Sequence, residues 1–285
     1  MRAFTNLLLL LLVIFLGYKA YGVATIDNGS TPVKTAYDRV VETNTLRCAY
    51  TAWAPFMQVD PNTKQVSGPI HDIVADAAER LGLKVEWVED VSYGQVNAGL
   101  QAGRYDAFCG VLWATTIRQK TMLFTDPLYL LPVHACVKAD STAYDTNTDA
   151  LNAPDKTFAV WDSDVSMQLV KILFPQAKMI TVSPMASGGE WLENVITGKA
   201  DAVPGCDKIF AAEYSKTNPG KIKIAAPDKP MTHIRDVLGL NAGEHQLKAM
   251  LDQALFEMVA DGSMERHLRA GLGAQANEVV FRKFQ

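Results

Sequence analysis

The chain has 285 residues, with 27 Lys and Arg against 31 Asp and Glu, a formal net charge of −4 and an apolar content of 48%. That is ordinary for a globular protein and long enough for two domains with a sizeable core. No basic stripe runs through it, which argues against nucleic acid as a partner.

Met1-Arg2 precedes an uninterrupted apolar run over residues 7–16, and Gly22-Val23-Ala24 offers a small-x-small cleavage site. A charged start, a short apolar stretch and small residues at its end describe a secretory signal. The run is short for a bilayer span of about 20 residues. Extension through Val23 approaches that length, so residues 1–24 read as a signal peptide or an N-terminal anchor. Residues 25–36 are polar and turn-forming, and read as a flexible leader.

A short helix is expected over residues 36–43 and a first strand over 46–51. Pro55 biases its predecessor away from helix, so Trp53-Ala54-Pro55-Phe56 is a loop. Apolar residues at helical spacing from Ile73 to Leu81 give a helix that opens at Gly68-Pro69 and stops at Gly82. A strand follows over 84–88. Ser92 and Gln95 form a capping box that starts a helix to Ala102. Gly103 ends it, and a strand covers 107–112. Strand, helix, strand, helix, strand implies a parallel sheet.

Residues 132–138 leave this unit as an extended segment, and the polar stretch 140–155 begins a second lobe. There, strands are expected over 157–161 and 178–182, with a helix over 165–174 between them. Ser187 and Glu190 make another capping box, opening a helix to Thr197. Gly198-Lys199-Ala200-Asp201 then repeats the turn-plus-strand grammar of Gly103-Arg104-Tyr105-Asp106. A strand over 236–241 returns to the first lobe, followed by helices over 244–260 and 264–270. The lobes are thus 37–135 with 236–285, and 136–235. Their cleft is where the strands' C-terminal ends point, the usual ligand site of open α/β sheets.

The four cysteines, Cys48, Cys109, Cys136 and Cys206, are widely spaced with no C-x-x-C, so a zinc site is not expected. Buried apolar thiols are the expectation. A Cys48–Cys109 bridge between neighbouring strands is the alternative, permitted by export. The five histidines lack metal-ligand spacing, and no nucleophile motif such as G-x-S-x-G occurs.

The densest chemistry lies between Gly103 and Tyr129. Thr115 and Arg118 place a hydroxyl three residues before a guanidinium, a good arrangement for gripping a small carboxylate. A helix-start arginine paired with a surface acid is the plainer reading. Gly103, Asp106, Thr115, Arg118, Phe124, Thr125, Asp126, Pro127 and Tyr129 together resemble the signature of the family 3 extracellular solute-binding proteins. That resemblance covers roughly Tyr37 to Leu272. It implies a two-lobed type II periplasmic-binding-protein fold, two parallel-sheet α/β lobes joined by a two-strand hinge. It also implies an amino-acid-like solute, an ABC permease as partner, a periplasmic location, a monomer, and no cofactor, metal or catalytic residue.

By the same resemblance, Arg118 and Thr115 hold the ligand's carboxylate, Trp53 and Tyr93 wall it, and Asp207 is the partner for an amine. Asp207 stands one residue later than the family's acid. Trp113 stands where relatives have a small hydroxyl residue. In Trp161-Asp162-Ser163-Asp164, Ser163 replaces a glycine and Asp164 a hydroxyl. Asp164 suits a helix N-terminus but repels a carboxylate placed there. The pocket is therefore expected to be more aromatic and more acidic than a standard amino acid site. Two alternatives remain: an anchored periplasmic sensor, and an enzyme resembling the cyclohexadienyl dehydratases.

Overall fold

The computed structural model describes residues 34–162, 164–183 and 185–281. The expected signal or anchor and nearly all of the leader lie outside the described residues, as does Ser163. Helix α1 (Ala36–Thr43) starts with a capping box that sequence reading missed: Thr35 Oγ1 accepts from Asp38 N, and Asp38 accepts from Thr35 N. Then come β1 (Thr45–Tyr50), the short pair β2 (Gln58–Val59) and β3 (Val66–Ser67), α2 (Pro69–Arg80), β4 (Lys84–Asp90), α3 (Val96–Gln101), β5 (Ala107–Phe108) and β6 (Met122–Phe124). The ten-residue β7 (Tyr129–Lys138) leads to β8 (Thr157–Trp161), α4 (Val165–Leu173), β9 (Lys178–Val182), α5 (Gly188–Ile196), β10 (Ala202–Cys206), α6 (Lys208–Thr217) and β11 (Ile222–Ile224). The chain returns through β12 (Thr232–Asp236) and β13 (Gly239–Asn241) to α7 (His245–Ala260) and α8 (Ser263–Leu272).

Two sheets organise these elements. The first runs β4-β1-β5-β13-β6, parallel among β4, β1 and β5 and antiparallel at β13. Apolar positions of α2, α7 and α8 (Ile70, Ile73, Leu251, Leu255, Leu268) cover one face, and Val96 and Leu100 of α3 cover the other. The second sheet runs β11-β7-β10-β8-β9, with β10, β8 and β9 parallel. Val170 of α4 packs on one face and Trp191, Leu192 and Val195 of α5 on the other. Burial on both faces makes the inner strand β10 wholly buried, while the edge strand β4 alternates exposed and half-buried residues.

β7 pairs with β12 over Tyr129–Val133, then with β10 and β11 over His134–Lys138. β7 and β12 are thus the two antiparallel strands that join the lobes. The fold is the expected two-lobed one. Among the described residues, no helix is long and apolar enough to cross a membrane.

The repeated glycine-aspartate grammar has one structural meaning in both lobes. Gly103 (φ 65°) and Gly198 (φ 75°) turn the chain in a left-handed conformation. Three residues on, Asp106 accepts from Arg47 N at 2.8 Å, and Asp201 accepts from Thr157 N at 2.9 Å. Each aspartate thereby ties its loop to the neighbouring parallel strand. Asp106 is buried and also pairs with Arg47 and Arg39.

Several expectations need correction. The strand expected over 107–112 ends at Phe108, because the chain changes partner: Val237 N donates to Leu112 O and Ala114 N to Arg235 O. The strand expected over 236–241 divides into β12 and β13, which pair with different strands. The helix expected from Ser92 begins at Val96, after a turn in which Gln95 Oε1 reaches back to Ser92 N. The cysteines are not thiols. Cys48 of β1 bridges Cys109, just past the end of β5, and Cys136 of β7 bridges Cys206 of β10, each pair with Cα atoms 5.5 Å apart, one bridge per lobe.

Candidate functional site

A cavity of about 40 Å³ lies between the two sheets. Trp53, Tyr93, Val111, Trp113 and Arg118 line it from the first lobe; Trp161, Asp164, Val165, Trp191 and Gly205 line it from the second. Six of the eight residues singled out in the sequence therefore meet in one place. Thr115 and Asp207 are not among its lining residues.

The aromatic wall is continuous across the lobes. Trp53 hangs from a tight loop in which Trp53 and Met57 exchange backbone hydrogen bonds of 2.8 and 3.0 Å. Its ring stacks on Phe210 of α6 with centroids 4.9 Å apart, and meets Trp161 edge-on at 6.3 Å. Tyr93 touches Trp53 edge-on at 6.2 Å. Trp161 stacks on Trp191 at 4.1 Å, and Trp191 Nε1 donates to Ala159 O at 2.7 Å. Trp161 Nε1 is buried with no hydrogen-bond partner among the described residues. Gly205 (φ 79°) admits the Trp113 ring: a Cβ there would lie 2.9 Å from it.

Arg118 opens a short 3₁₀ turn, Arg118–Lys120. Its backbone N–H donates to Thr115 Oγ1 at 3.2 Å, so Thr115 positions the arginine from outside the cavity. The guanidinium lies 5.9 Å from the Tyr93 ring centroid. Nη1 donates to Trp113 O at 3.0 Å, and Nη2 donates to Asp164 Oδ2 at 2.9 Å, across the cleft. Both side chains are mostly buried, 18% and 14% exposed. Asp164 is also the N-cap of α4, accepting from Ser166 N at 3.1 Å through Oδ1. A second cavity shares Tyr93, Arg118, Trp161 and Asp164 with the first, so the ion pair stands where the two meet.

Asp207 is spent differently. It caps α6, accepting from Phe210 N at 2.8 Å, and is 2% exposed. Burial pushes its carboxyl up to about 6, opposed by the helix amides. Beyond it, at the hinge, lies a residue that the sequence did not flag. Asp236 is fully buried opposite Tyr129 in the β7–β12 register and accepts from Leu112 N at 3.2 Å. Burial raises it to about 8, with Asp207's charge adding. Trp191 and Val165 were also missed, since on helices they carry the periodicity of ordinary core, as was Val111 in the segment after β5. Gly205 had a signal: a glycine inside a strand marks a close approach.

The profile of the bacterial extracellular solute-binding proteins, family 3, matches residues 46–270. A probable amino-acid ABC transporter-binding protein of Haemophilus influenzae is 26% identical over 235 residues, 80% of this chain and 85% of that one. The virulence sensor protein BvgS of Bordetella pertussis is 27% identical over 184 residues, 64% of this chain but 14% of BvgS. Among solved structures, the ancestral amino acid-binding protein AncCDT-1, a precursor of cyclohexadienyl dehydratase, superposes with a TM-score of 0.70 at 26% identity, covering 84% of this chain and 100% of that one.

Proposed function

The chain belongs to the bacterial extracellular solute-binding proteins, family 3, and from that premise we propose that it is a periplasmic receptor. It captures a small solute of the amino-acid class between its lobes and presents it to an ABC importer. The lobes are residues 37–135 with 236–285, and residues 136–235, and the protein works as a monomer. The observation that carries this reading is the cavity between the sheets, walled by both lobes and crossed by Arg118–Asp164. A solute touching both walls favours the closed arrangement, and only such differential contact can shift an open–closed balance.

The test is a thermal-shift screen of the purified protein against amino acids, polyamines and small carboxylates. A ligand that binds only the folded state raises the unfolding temperature with concentration. A panel that shifts nothing overturns the reading. The match to BvgS supports a second reading, a ligand-sensing module tethered to the membrane. Mass spectrometry of the mature protein separates the two: retention of residues 1–24 favours the sensor, and their loss favours the importer subunit.

A further inference from the structure

We infer that the solute is an organic cation without a carboxylate, an alkylamine or quaternary ammonium, because Asp164 already fills the place a ligand carboxylate would take. This rests on the reading of the cleft as a solute site and replaces the amino-acid class proposed above with a carboxylate-free amine. Two devices in the cleft suit a carboxylate: the Arg118 fork and the N-terminal amides of α4. Asp164 engages both, taking Arg118 Nη2 at 2.9 Å with one oxygen and Ser166 N at 3.1 Å with the other. The fork's other arm donates to Trp113 O at 3.0 Å. A second carboxylate against Arg118 would lie beside the first, and like charges in a mostly buried site repel strongly. Trp161 Nε1 is a buried donor left without a partner among the described residues, and a single neutral donor does not replace the hydration shell that a carboxylate loses.

What the cavity offers instead is π surface. Trp53, Trp113 and Trp161 surround it from both lobes, with Asp164 at its margin. Indole faces attract ammonium groups, most strongly when water is displaced. The Arg118–Asp164 pair leaves the box near neutral, so a cation enters without facing an uncompensated positive charge.

Calorimetry on matched pairs tests this: agmatine with arginine, cadaverine with lysine, tyramine with tyrosine, and choline with glycine betaine. The decarboxylated or uncharged-tail member of at least one pair is expected to bind at least tenfold tighter than its carboxylate partner. Asp164→Asn, which keeps the α4 cap, is expected to weaken that cation at least tenfold and to strengthen the carboxylate partner. Tighter binding of the carboxylate member throughout overturns the inference and leaves the receptor reading standing. No binding by any member overturns both. The wild-type comparison decides the matter even if the variant fails to fold.

Discussion

Two aspartates in the second lobe begin helices in nearly the same way. Asp164 caps α4 with φ −108° and ψ 171°, and Asp207 caps α6 with φ −108° and ψ 162°. Locally they are the same device. Their surroundings differ. Asp164 meets a guanidinium from the other lobe and lines the cavity. Among the described residues no cation offsets the burial of Asp207, and its carboxyl is pushed up to about 6 with Asp236 nearby. The cap comes from adjacent residues, while the charge state and the role come from what the fold brings against it. The sequence suggested both as ligand-binding residues for different reasons, and the fold brings one of them to the cavity.

The largest effect that bears on this contrast is expected for Asp164→Ala. It removes the cap and strands Arg118 in a mostly buried site, and stability at pH 7 should fall by about 3 kcal/mol. Urea denaturation measures it; a loss below about 1 kcal/mol would show that the cross-lobe pair contributes little. Asp207→Asn should behave in the opposite sense, since asparagine caps well and carries no charge.

The pH dependence separates the two sites further. Asp207 and Asp236 have folded-state values raised above those of the unfolded chain, so their contribution is fully present below pH about 4 and is lost as pH rises. For Asp207 the loss is complete above about 6, and for Asp236 above about 8. Stability should therefore fall across that window, and Asp236→Asn should remove most of the fall between pH 6 and pH 8. Chemical denaturation at pH 5 and pH 8 reads this directly. An unchanged slope in the variant refutes the assignment.

Arg118→Lys keeps the charge but loses the fork that reaches Asp164 and Trp113 O together. A loss of about 1 kcal/mol is expected in the same assay, smaller than for Asp164→Ala because the cap survives. Thr115→Ala removes the hydroxyl that accepts Arg118 N–H, at a cost of about 0.5–1 kcal/mol. A larger loss would mean that Thr115 has a partner beyond the turn.

Much of the fold was legible because its signals are local. The Ser187–Glu190 capping box, the strands over Thr157–Trp161 and Lys178–Val182, and the glycine-aspartate turns all lie within a few residues of the structure they specify. So were the aromatic character of the pocket and the likelihood of a charge conflict at Asp164, since residue types alone state them. The partner switches at Leu112 and Val237, the Cys136–Cys206 disulfide, the pairing of Arg118 with Asp164 and the burial of Asp207 were not legible, whereas the Cys48–Cys109 bridge had been the alternative reading of its pair. Each joins residues from about 45 to 125 positions apart, or depends on solvent exclusion by the whole fold, and dielectric and distance have no local code. The sequence by itself determined a two-lobed receptor scaffold with an arginine and several tryptophans near its cleft. Tertiary structure decided that the arginine is answered from within the protein.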